Sequence, residues 1–190
     1  MRVEPYSITW PKCYEVPTDG CPPVARSKGL HLSTVLHSVA VRMGWLQELE
    51  DIEFMGHLGV AFENYASILT AHVLRQSGSA FTFHPGEFEL DGIYMNPDGL
   101  ECTPEGVLRI HEFKLMWCSA GKSIDSMFYR LSQIKGYCHA LGITEAIAHM
   151  AFAAGYFKPP FPIFKPIKLI FTERELKENW DMVLREAKNV

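Results

Sequence analysis

Between Val107 and Lys114 the chain reads V-L-R-I-H-E-F-K, a strand-like run with a carboxylate at Glu112 and an amine at Lys114. Residues i and i+2 of a strand point to the same face, so Glu112 and Lys114 share one face while Phe113 turns into packing on the other. His111 should face away from Glu112 for the same reason. Upstream, L-D-G-I-Y-M (Leu90 to Met95) is a shorter alternating run that carries a second carboxylate, Asp91. Asn96-Pro97-Asp98-Gly99 follows as a strong turn signal, and the two runs read as a hairpin with Asp91 beside Glu112. Two carboxylates and a lysine are costly to bury at the middle of a sheet. A divalent cation offsets that cost, because carboxylates are hard oxygen ligands suited to Mg2+ or Mn2+.

Composition narrows the setting. A chain of 190 residues should bury ~70% of the surface it exposes when extended, enough for one domain with a real core. Apolar content of 47% and charged content of 21% are ordinary for a globular protein. A net charge of -4 does not advertise nucleic-acid binding, although a local basic channel can sit on an acidic protein. No run approaches the length of a membrane span. The opening M-R-V-E-P-Y-S lacks the apolar core of a signal peptide, so the expectation is an intracellular protein with no membrane partner. The five cysteines (Cys13, Cys21, Cys102, Cys118, Cys138) form no C-x-x-C pair, which argues against a closed zinc or disulfide framework.

Residues 1–28, rich in Pro, Gly and Cys, read as an irregular arm. Ser33 is the expected N-cap of a first helix with Val35, Leu36, Val39 and Met43 at helical spacing, ended by Gly44. A longer helix is expected from Leu49 to Gln76, with Phe54, Leu58, Phe62, Tyr65, Leu69 and Val73 as its apolar stripe and Glu63 inside it. Strands are expected at Ala80 to His84, Glu87 to Met95 and Val107 to Lys114, with Leu100 to Gly106 as a connection. A helix from Ser123 or Ser126 to Leu141 places Gln133 and Tyr137 on one face, with Gly142 closing it. Ala146 to Ala154 is an apolar strand candidate, and Pro159, Pro160, Pro162 and Pro166 mark a loop or hairpin tip. Ile167 to Phe171 forms a final strand, and Thr172 with Glu175 forms a capping box for the last helix. The order predicts one α/β domain with a mixed central sheet and helices on both sides.

Taken singly, these residues have ordinary readings: a surface ion pair for Glu112 and Lys114, a turn for Asp91-Gly92, a solvated helix position for Glu63, a boundary aromatic for Tyr137. Taken in order, Glu63 in a helix, Asp91 on a strand, Glu112-Phe113-Lys114 on the next strand and Gln133-x-x-x-Tyr137 on the following helix resemble the PD-(D/E)XK nuclease superfamily. The likeness is to the branch that includes RecB-type, lambda-exonuclease-like and Cas4-like proteins, and it covers roughly Gly59 to Ala154, within a motif-bearing core of residues 54–154. The Pro-Asp usual at the first acidic position reads here as Leu90-Asp91. The cysteines do not match the Cas4-like pattern, so no iron–sulfur cluster is expected.

The resemblance implies a restriction-endonuclease-like core and a set of roles. Asp91, Glu112, the backbone carbonyl of Phe113 and Glu63 would bind one or two Mg2+ or Mn2+ ions, with His57 a further candidate ligand. Lys114 would orient water or neutralise developing charge on the phosphate. Gln133 and Tyr137 would position substrate or buttress Lys114. The implied substrate is DNA, with Arg26, Lys28, Arg42, Lys122, Arg130 and Lys135 as candidate phosphate contacts. No P-loop, zinc finger or sequence-reading module is present. The expectation is therefore an exonuclease acting on ends in recombination, repair or phage DNA processing in a bacterial or phage-infected cell. A recombination or single-strand annealing protein and a second copy of the chain are the implied partners. An endonuclease and a non-catalytic DNA-binding protein on the same fold are the alternatives.

Overall fold

The computed structural model describes residues 1–8, 26–44, 53–116, 124, 127–153 and 163–190, the side chains of 53–57 excepted. In chain order the elements are β1 (Arg2–Pro5), β2 (Leu30–His31), α1 (Leu32–Arg42), α2 (Glu53–Gln76), β3 (Ala80–Phe83), β4 (Phe88–Leu90), β5 (Ile93–Met95), β6 (Gly99–Cys102), β7 (Leu108–Met116), α3 (Phe128–Leu141), β8 (Glu145–Phe152), β9 (Ile163–Ile170) and α4 (Glu173–Ala187). A six-stranded sheet has the order β1-β9-β8-β7-β6-β3, and a small sheet has the order β2-β5-β4. In the large sheet β7 and β8 run parallel and the other pairs antiparallel. A parallel neighbour requires a crossover, and α3 supplies it.

Strand alternation sorts the two faces of β7. Ile110 points to the face covered by α1, α3 and α4, where it joins Ala148, Met150, Leu169, Ile134, Trp180 and Val183 in the main core. Phe113 points to the other face, where Ala66 and Leu74 of α2 and Phe81 of β3 enclose it. This is the expected α/β architecture, a mixed central sheet flanked by helices. The capping box of α4 forms as the sequence predicts, with Thr172 and Glu175 bonding reciprocally. No helix among the described residues is long and apolar enough to cross a membrane.

Five expectations are corrected. The run Glu87 to Met95 is two strands, because Asp91 (φ 53) and Gly92 (φ 78) both adopt left-handed backbone and fold β4 onto β5. That is the geometry of a two-residue I′ turn, for which Asp-Gly is a favoured pair. The connection Leu100 to Gly106 contains β6, and β6 is the strand that pairs with β7. β9 starts at Ile163 and passes through Pro166, whose carbonyl accepts from the Tyr6 amide. Helix α1 is capped at His31 without a side-chain bond, so Ser33 lies inside the helix. The expected α2 stripe also shifts: Leu69 is buried as expected, but Tyr65 is exposed and Ala66 and Leu74 are buried in its place.

Candidate active site

Register places the acidic groups. In the β6–β7 pair Gly99 lies opposite His111, and one step further the same register brings Asp98 level with Glu112. Gly99 has no alternative here, since a Cβ would stand 2.5 Å from the Phe81 ring. Asp98 Oδ2 accepts from the Phe113 amide at 2.7 Å and from Lys114 Nζ at 3.4 Å. Lys114 Nζ also lies 2.5 Å from Glu112 Oε1. α2 brings Glu63 to the same cavity, where His84 Nε2 stands 3.5 Å from Glu63 Oε1. His84 in turn donates its amide to the Asp98 carbonyl at 2.9 Å. From α3, Gln133 Nε2 donates to the Tyr137 hydroxyl at 2.6 Å. The cavity between these groups has a volume of about 490 Å³.

The electrostatics of the cavity are those of crowded carboxylates in a dry setting. Glu112 is 1% exposed; its Oε1 is paired with Lys114, and its Oε2 has no hydrogen-bond partner. Burial and the neighbouring Asp98 push its carboxyl up to about 8, against the pull of Lys114. Burial and Asp98 likewise push Glu63 up to about 7, opposed by Lys114 and Arg26. Burial alone would lower Lys114, but Asp98 and Glu112 outweigh it and hold the ammonium charged above its ordinary range. Burial followed by Glu112 raises the Tyr137 hydroxyl well above its usual value. Burial lowers His84, with Asp98 opposing, so His84 stands as a neutral imidazole near pH 7.

The expected residues divide into those brought together and those left apart. Glu63, Lys114, Gln133 and Tyr137 line the cavity, and buried Glu112 joins them through its ion pair with Lys114. Phe113 gives its amide to Asp98 and its ring to the α2 face. Asp91 is not with them. It sits at the β4–β5 turn, accepting from Trp180 Nε1 at 2.8 Å, and it does not line the cavity. Among the basic candidates, Arg26 is exposed and lines the cavity. Arg130 lies close enough to repel the Lys114 charge. Lys28 is exposed. Arg42 is paired with Glu186 of α4. Lys135 faces a different groove with Phe128 and Asn179. Lys122 and the side chain of His57 lie outside the described residues.

Asp98 and His84 are the site residues that the sequence reading misses. Asp98 carries a signal of its own, the Pro97-Asp98 pair, which fits the Pro-Asp usual at the first acidic position. Asp91-Gly92 carries a hairpin-turn signal instead. Nothing in the sequence marks His84, whose placement depends on a left-handed backbone (φ 45) and a tertiary contact.

Glu63, Asp98 and Glu112 present carboxylate oxygens of the kind that hold a hard divalent cation. Among the described residues no three His, Cys, Asp or Glu side chains already enclose a common point. The donor chemistry nonetheless fits such an ion, because the carboxylates of Glu63, Asp98 and Glu112 crowd around the single ammonium of Lys114 and the buried Oε2 of Glu112 has no partner.

No protein-family model matches the chain, and no curated protein sequence matches it. Solved structures do. An alkaline exonuclease (LHK-Exo) from Laribacter hongkongensis superposes with a TM-score of 0.53 at 14% identity, over 85% of this chain and 87% of that one. A phage-related exonuclease from Haemophilus somnus 129PT gives 0.52 at 14% identity, over 83% of this chain and 79% of that one. What the chain shares with them at this level of identity is its architecture, a restriction-endonuclease-like fold with a mixed central sheet flanked by helices.

Proposed function

We propose that the chain is a Mg2+- or Mn2+-dependent deoxyribonuclease that hydrolyses phosphodiester bonds at DNA ends. The observation that carries this reading is Glu112, fully buried, level with Asp98, ion-paired to Lys114 through one oxygen and without a partner at Oε2. Asp98 and Glu112 would hold the cation, with Glu63 and the Phe113 carbonyl as further oxygens. When bound, the cation polarises the phosphodiester and acidifies a water. Lys114 stays protonated and balances charge that develops on the phosphate. Tyr137 is held by Gln133, and the free Oε1 of Gln133 accepts a hydrogen bond from substrate or water. Arg26 and Arg130 neutralise flanking phosphates. In the reaction the water oxygen bonds to phosphorus, the bond to the leaving sugar oxygen breaks, and that oxygen takes a proton.

Action at ends fits a cavity whose 490 Å³ is small-molecule scale, large enough for a nucleotide. Two proteins of the same fold are described as exonucleases, which agrees. The test offers the protein linear duplex, labelled separately at each end, and closed circular DNA, with Mg2+ or Mn2+. Asp98→Ala protein and an EDTA lane are the controls. Progressive loss of the linear DNA with survival of the circle is expected, and the label released first gives the polarity. Cutting of the circle would make it an endonuclease. No change in either substrate would overturn the catalytic reading.

A further inference from the structure

The cavity has a second wall that the hydrolytic chemistry does not use. Tyr94 of β5 lies on it, next to His31 at the end of β2. The two rings stand 5.7 Å apart, inclined by 39°. Both are fixed from behind. The Tyr94 ring packs on the bare backbone of Gly29, where a Cβ would come within 2.4 Å of it. Glu89 lies directly opposite Tyr94 on β4. His31 Nε2 is bonded to the Ser27 carbonyl at 3.0 Å, and its Nδ1 is 3.9 Å from Glu87. Ser27 closes the arrangement by donating its amide to Glu87 at 3.1 Å.

Tyr94 belongs to neither apolar core cluster of the described residues. It is a half-buried ring, oriented in advance, on a cavity that Lys114 and Asp98 also line. Aromatic rings stack on any nucleobase, because every base has a π-face. The cavity volume suits one nucleotide, and Arg26, which also lines it, is available to meet a phosphate.

Resting on the nuclease reading, we infer that the Tyr94–His31 wall is a stacking platform for one unpaired nucleobase next to the scissile phosphate. The substrate thus enters as a single strand or as a frayed duplex end, with its base drawn out of the helix. The energetic cost of unpairing then becomes part of selectivity.

The test reads binding and cleavage separately. A single-stranded oligonucleotide with 2-aminopurine at its terminal position is titrated with metal-free protein, and fluorescence quenching reports stacking. Wild type and Tyr94→Phe are expected to quench, and Tyr94→Leu, which keeps bulk against Gly29, is expected not to. In Mg2+ or Mn2+, an abasic terminal residue should raise KM for the wild type by about tenfold, with kcat little changed. Tyr94→Leu should treat abasic and normal ends alike. Thermal melts confirm that both variants fold. Absent quenching by wild type, equal quenching by Tyr94→Leu, or retained discrimination by Tyr94→Leu would each overturn the stacking assignment. Failure of the nuclease reading is seen independently, as no cleavage by wild type in either metal.

Discussion

Glu112 carries a carboxylate to a place that water hardly reaches, and its protonation answers to that. Its carboxyl and that of Glu63 titrate near 8 and 7 in the fold, against an ordinary 4.5. A raised folded value means that the folded state binds protons the unfolded chain has already released. The associated stability is complete below about pH 4.5 and is lost as pH rises toward 7 and 8. The buried histidines His84, His111 and His149, held below their ordinary value, oppose this up to about pH 6.5, so the metal-free protein should melt at progressively lower temperature from pH 6.5 to pH 8. Mg2+ or Mn2+ should raise the midpoint more at pH 8 than at pH 6, because the cation competes with protons for the same oxygens. A pH-independent melting temperature, or a cation effect equal at both pH values, would contradict this. The two aspartates separate cleanly at this scale. Asp98→Asn should reduce cleavage by about 100-fold or more, the scale of losing one charge-stabilising group. Asp91→Asn should leave kcat near wild type and lower stability through the Trp180 contact, as kinetics and urea melts will show.

At the scale of elements, periodicity carried most of the fold and left out what depends on partners. Glu112 and Lys114 were readable because β7 alternates over its length and sorts side chains by face. Gln133 and Tyr137 were readable because four-residue spacing places them on one side of α3. Asp98 was not readable by pattern: Asn96-Pro97-Asp98-Gly99 looks like a turn, and β6 becomes a strand only by pairing with β7 and β3. The Asp91-Gly92 turn was present in the sequence as a hairpin signal and was outweighed by the alternation around it. Gly92→Ala, which puts a Cβ on a residue at φ 78, should cost about 1–2 kcal/mol in urea unfolding. β6, β7 and β8 are also joined by a buried polar chain. His111 bonds Glu101 at 3.0 Å and His149 at 2.9 Å, and Ser79 donates to Glu101 at 2.8 Å. Burial would raise Glu101, but His111, Ser79 and Arg109 more than offset it and hold the carboxyl low. His111→Ala should therefore cost about 3 kcal/mol, from lost packing and a weakened partner set for a buried charge. A urea midpoint within 0.5 kcal/mol of wild type, a surface-like effect, would show the chain to be dispensable.

Across the whole molecule, the small sheet β2-β5-β4 stands against the helical layer, and Trp180 ties it there through Asp91. The platform wall and the acidic wall thus belong to different sheets that share one core. The large sheet differs in depth along its width. β8 is buried almost throughout, whereas β1 is a mostly exposed edge. Native-state hydrogen exchange should find the amides of β1 opening at lower free energy than those of β7 and β8. Equal protection would mean that the sheet opens only as a unit.

The pairing of β1 with β9 joins Arg2 to Ile170 and Pro5 to Ile167. During synthesis β1 leaves the ribosome long before its neighbour exists. The strand translated first must wait, unpaired, until β9 has emerged and settled against β8. Its docking therefore cannot precede the emergence of β9, which follows in sequence the strand that carries Glu112.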